Sequence, residues 1–137
     1  MTTNNQSDLF NSIYKSRKII LEQLFNQGYD TSSYDDFGIN EVHIMTTNNQ
    51  LDMLISRPSD NKKVYIRYNL KKPIRPQYLD DLIEDLFNLE GVLTKSDSLI
   101  IIGKDEMNDS IKSYLKEIYS VDNHNLIIIS LARLQYN

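Results

Sequence analysis

The 137 residues contain no cysteine, so neither a disulfide framework nor a thiolate metal site can form. Histidine occurs only twice, as His43 and His124, too few for an ordinary zinc site. There are four glycines and none are clustered, which excludes a glycine-rich loop cradling phosphates. No apolar run approaches the length of a membrane span. Residues 1–7 have neither the basic start nor the apolar centre of a signal peptide. A net charge of −4 does not suit a stand-alone nucleic-acid binder, whose field is normally basic. These absences predict an intracellular protein with no cofactor, no metal and no membrane partner.

The remaining composition is that of a single globular domain. Hydrophobic residues make up 40% of the chain and charged residues 25%, enough to build a core without covalent staples. Residues 1–7 read as a disordered, polar N-terminus, and residues 8–137 as the domain. Ser7 is the predicted cap of a first helix whose apolar residues recur from Leu9 to Phe25, with Gly28 as its stop. Thr31, Ser32 and Ser33 predict a short helix over 34–37. In 39–50 the alternation of Val42 and Ile44 predicts an irregular strand, followed by a loop at 46–49. Residues 51–56 and 64–68 read as the strands of a hairpin around the turn 58–61.

Pro76 suits the first turn of a helix whose buried stripe runs from Tyr78 to Phe87, with acids opposite. The apolar runs 99–102 and 126–129 read as strands buried on both faces, as in a parallel sheet. A helix over 108–119 lies between them, with Ile111, Tyr114, Leu115 and Ile118 inward. A helical turn capped by Ser130 follows over 131–136. Strand, helix, strand, helix, strand predicts two βαβ crossovers, hence an α/β fold with a small mixed sheet and flanking helices.

This order resembles the restriction-endonuclease-like core, whose enzymes hold magnesium between acids on neighbouring strands. Asp52 is the candidate first acid and Glu41 a helper. The next strand supplies Tyr65-Ile66-Arg67, without a second acid and with arginine where a lysine is wanted. Asp52 therefore reads first as a strand-edge charge. His43 and His124 read as solvated or structural, the latter in a polar turn over 122–125. Lys62, Lys63, Arg67, Lys71, Lys72 and Arg75 form a basic stretch with no acid among them. It is either a solvated hairpin edge or a phosphate-facing surface interleaved with Tyr65 and Tyr68. The acidic face of the following helix is either a soluble face or a dock for a basic partner.

The segment 17–29 carries a resemblance. Arg17-Lys18-Ile19-Ile20-Leu21-Glu22-Gln23-Leu24-Phe25-Asn26-Gln27-Gly28-Tyr29 is similar, without a gap, to the first helix of the fifth shared subunit of eukaryotic-type DNA-directed RNA polymerases, with Arg17, Lys18, Ile20, Gly28 and Tyr29 as matching positions. The order of elements is similar through Ser130. The resemblance implies the N-terminal jaw domain of that subunit, a restriction-endonuclease-like fold lacking a nuclease site. The implied function is that of a non-catalytic subunit forming part of the lower jaw and downstream DNA channel in transcription. Its partners would be the largest polymerase subunit, other polymerase subunits, and downstream double-stranded DNA bound without sequence preference.

By the same resemblance, Lys72-Pro73 matches the family's proline-bearing loop, and Asn108-Asp109-Ser110-Ile111 matches its Thr-Pro-Ser-Ala motif near DNA. Only the serine is kept, and an acid stands where the family has proline. The DNA-proximal candidates are then Lys71, Lys72, Pro73, Lys104, Asn108 and Ser110. The family's smaller C-terminal assembly domain would begin beyond Asn137, so the expectation is a jaw fragment of a longer subunit. The divergence and the heavy use of Asn, Ile, Lys and Tyr suit a large DNA virus, which implies the nucleus, or host cytoplasm and virion if viral. The alternatives are a divergent magnesium-dependent nuclease and a stand-alone interaction module.

Overall fold

A computed structural model describes the backbone of residues 2–122 and 125–135, and the side chains of 8–117 and 125–135. Of the predicted polar turn over 122–125, Asp122 ends a helix and Asn125 begins a strand, while His124, the side chain of Ile118, and Tyr136 lie outside the described residues. The elements in order are α1 (Thr2–Asn26), α2 (Ile39–Thr47), β1 (Met53–Arg57), β2 (Lys62–Asn69), α3 (Pro76–Ile83), β3 (Ser98–Gly103), α4 (Asp109–Asp122) and β4 (Asn125–Ser130). A π-helical stretch, Glu84–Leu89, prolongs α3, and a 3-10 turn, Leu131–Leu134, follows β4. The sheet is four-stranded in the order β1-β2-β3-β4. β1 pairs antiparallel with β2, and β2, β3 and β4 run parallel, so both predicted crossovers are present.

Side-chain alternation divides the interior between the two faces of the sheet. Met53, Ile55, Val64, Ile66, Ile100 and Ile102 meet α1, α2 and the 3-10 turn. Leu99, Ile101 and Ile128 meet α3 and α4 through Leu79, Leu82, Leu86 and Ile111. The continuous apolar run of β3 follows from this position, because each residue faces a helical layer. β4 is parallel as expected, but the expectation that both its faces are buried is corrected. It is an outer strand, and Ile127 is 40% exposed.

The helical segments differ from expectation in three places. α1 is already helical at Thr2, so the predicted disordered N-terminus carries helix and Ser7 lies inside α1 instead of capping it. Residues 32–36 form a turn and not a helix, begun by Asp30, whose carboxylate accepts from the Ser32 N–H at 3.1 Å. The predicted irregular strand and loop over 39–49 are largely α2. It is a one-sided helix, with Val42 buried and Ile44 61% exposed. Glu41 caps it by accepting the Gly38 N–H at 3.1 Å.

Gly28 ends α1 as predicted, at φ +91°. The Gly28 N–H reaches the Phe25 carbonyl and the Tyr29 N–H the Leu24 carbonyl, each at 3.0 Å, a paired closure that wants glycine in the left-handed position.

Candidate functional site

In register, Asn69, Gly103 and Ser130 stand side by side, so β2, β3 and β4 end together. The loops leaving β2 and β3 emerge side by side there, at the carboxyl ends of adjacent parallel strands. Between them lies a cleft of about 420 Å³. Lys71, Lys72 and Pro73 line it from the β2 loop, and Lys104, Asp105 and Asn108 from the β3 loop. Five predicted DNA-proximal positions thus share one cleft, from loops more than thirty residues apart. Ser110 lies beyond its lining, exposed in the first turn of α4.

Asn108 has a structural duty that fixes the cleft's far wall. Its side-chain oxygen accepts the Ile111 N–H at 2.9 Å and its carbonyl accepts the Lys112 N–H, so it caps α4. Asp109 follows in the first turn, where the helix dipole favours an acid. Gly103 brings the two loops close: a Cβ there would stand 3.0 Å from Ile74 Cδ1 of the β2 loop. Lys71, Lys72 and Lys104 are exposed, and among the described residues none has a carboxylate at ion-pair distance. Glu106 also lines the cleft and is held from one side. Arg133 Nε donates to it at 2.7 Å and Ser130 Oγ at 2.9 Å, and these bonds hold its carboxyl below the usual carboxylate range. The Ser130 hydroxyl is therefore spent on Glu106 and makes no cap bond to the 3-10 turn.

The basic stretch of the sequence does not form one surface. β2 is an inner strand, which removes the hairpin-edge reading, and its cations go to different ends. Lys62 and Lys63 stand at the hairpin turn, while Lys71, Lys72 and Arg75 follow the other end. Tyr65 and Tyr68 point to opposite faces, being three residues apart on a strand, so they form no shared platform.

Arg67 is held by Asp52. Its Nε and Nη2 donate to Asp52 Oδ2 at 3.0 and 2.8 Å, and the Tyr65 hydroxyl donates to the same oxygen at 2.6 Å. Burial, then the bond to Asp52, pushes the Tyr65 hydroxyl up to about 12. Sequence reasoning singled out Asp52 without its partners. The signal was available, since residues 65 and 67 of one strand share a face. Glu41, the proposed helper acid, is the α2 cap described above. Among the described residues no three His, Cys, Asp or Glu side chains gather as a metal-binding group. His43 stacks on Phe10, with ring centroids 3.7 Å apart, and joins α2 to α1.

The family-matching helix positions are mostly structural. Ile20 is core, Lys18 lies 5.0 Å above the Tyr14 ring, and Arg17 is buried. Tyr29 carries the Arg57 guanidinium over its ring at 5.0 Å. Among the described residues no helix is long and apolar enough to cross a membrane. The chain matches no protein-family model and no curated protein sequence.

Proposed function

We propose that this chain is the jaw domain of the fifth subunit of a DNA-directed RNA polymerase, a non-catalytic part that helps form the downstream DNA channel. The supporting observation is the cleft at the strand ends, where Lys71, Lys72 and Lys104 stand exposed on two loops held close by Gly103. Unpaired lysines spaced along a cleft attract a phosphate backbone and position it without reading sequence. Asp105 and Glu106 line the side nearer α4, so the strand of phosphates passes nearer Lys71 and Lys72. The largest polymerase subunit supplies most of the binding, since the net charge of this chain opposes DNA.

The nuclease alternative gains nothing from the geometry. A guanidinium already neutralises Asp52 and caps its oxygen, and Glu41 closes a helix. Binding magnesium at Asp52 would bring a divalent cation up to an arginine.

The test is purification of the tagged, full-length gene product from its native cell or infected host, followed by mass spectrometry. Recovery of both large polymerase subunits in near-equal amount is expected. Elution without them would overturn the proposal. Replacing Lys71, Lys72 and Lys104 together by glutamate should leave that assembly intact and flatten the salt dependence of DNA binding by the assembled polymerase.

A further inference from the structure

Arg17 is 2% exposed, and its side chain is incompletely satisfied. Nη1 donates to the Leu51 carbonyl at 2.9 Å, while Nη2, equally shielded from water, donates to nothing. A guanidinium stays charged in a protein, so the unpaired donor is a cost that an acceptor would remove.

A second observation concerns where Arg17 stands. It lines a groove of about 380 Å³ between α1 and residues 31–42. Leu21, Phe25, Tyr34, Phe37 and Val42 give that groove a mainly apolar wall, and Phe25 is left 66% exposed at its edge. The volume is in the range that takes a ligand or inserted side chains. The acids in the lining do not reach the arginine: among the described residues no carboxylate lies within ion-pair distance of Arg17, and Asp35 accepts from the Thr31 hydroxyl at 3.3 Å.

An apolar trough lined in part by Arg17, whose shielded Nη2 lacks an acceptor, calls for one chemistry: an apolar side chain next to an anionic acceptor. We propose that the groove docks a segment of a protein partner in which an aromatic or aliphatic residue fills the space beside Phe25 and a neighbouring Asp or Glu accepts from Arg17 Nη2. A carboxylate suits the site better than a neutral carbonyl, because it matches the buried charge and takes two guanidinium bonds at once. Nη2 is shielded, so the guanidinium turns toward the groove as the acceptor arrives. The inference stands independently of the polymerase reading.

The experiment selects short random peptides, displayed on phage, against the full chain. Recovered peptides should place Asp or Glu beside an aromatic or aliphatic residue. Their binding should weaken at least about tenfold in Phe25→Ser, a change at an exposed position outside the core. Changing the peptide's acid to its amide should weaken binding similarly, and the Arg17 Nε–Hε resonance should move when peptide is added. Recovery of no binder, of peptides without an acid, or of peptides indifferent to Phe25→Ser would overturn the proposal. So would an Arg17 resonance that stays in place, which would assign Nη2 to a buried water.

Discussion

On the α1 face of the sheet the interior includes Ser16 and Arg17 among its isoleucines, with the Tyr68 hydroxyl turned in to meet them. On the α3 and α4 face the interior is leucine and isoleucine, and the polar groups stand at its margins: Asp97 near the start of β2, and Asp52 with Arg67 beside β1. The Ser16 hydroxyl gives its hydrogen to the Ile13 carbonyl at 2.7 Å, so at 2.7 Å from Tyr68 it must accept from the tyrosine. Those bonds fix α1 against β2 in one register. On the opposite face the comparable bond lies at the margin, where Arg67 of β2 reaches the Tyr78 hydroxyl of α3, and the apolar interior places its helices by shape. One sheet thus carries two kinds of core, one that specifies orientation through hydrogen bonds and one that supplies stability through packed volume.

Substitutions can break this contrast. Ile101 is 0% exposed on the apolar face, and Ile101→Ala should destabilise the domain by roughly 2–5 kcal/mol in denaturant unfolding. Arg17→Met on the other face should cost less than about 2 kcal/mol, because the lost bond to Leu51 is offset by removal of an unpaired buried donor. A larger loss for Arg17→Met than for Ile101→Ala would invert the comparison.

Alkaline titration sharpens it. Burial holds the Tyr68 hydroxyl up at about 12, and burial with the Asp52 bond does the same for Tyr65, against about 10 for tyrosine in the unfolded chain. Both are neutral in the folded state where the unfolded chain would already ionise. Their contribution is complete below pH 10 and lost as the pH climbs to about 12. The denaturation midpoint should fall across that window, and Tyr65→Phe with Tyr68→Phe should flatten the fall. The smallest effect belongs to the marginal ion pair. Asp52 and Arg67 are each about a third exposed, and a double-mutant cycle with Asp52→Asn and Arg67→Met should give a coupling of about 0.5–1 kcal/mol.

The elements that could be read from the sequence were those whose residues all obey one rule. β3 is apolar throughout because both its faces are covered, and α3 has a stripe because only one of its faces is. α2 was hidden because it buries Val42 alone, too little to set a helical period, while Val42 and Ile44 imitate a strand. Its trace was local, a glycine followed three residues later by a glutamate that caps it. In the site, the nearness of Lys72 to Lys104 was not legible, since it depends on two strands ending in register. The Glu106–Arg133 pair was equally hidden, because residues 27 apart meet only after β4 is in place.

One consequence follows from Gly103. The basic loop after β2 and the loop before α4 touch through Ile74 Cδ1, at the distance a single methyl group on Gly103 would crowd. The fit of Ile74 against the end of β3 is therefore gauged by a missing carbon atom. Adding it with Gly103→Ala would act as a shim, pushing the tip of Ile74 back by a few tenths of an ångström without touching any charge.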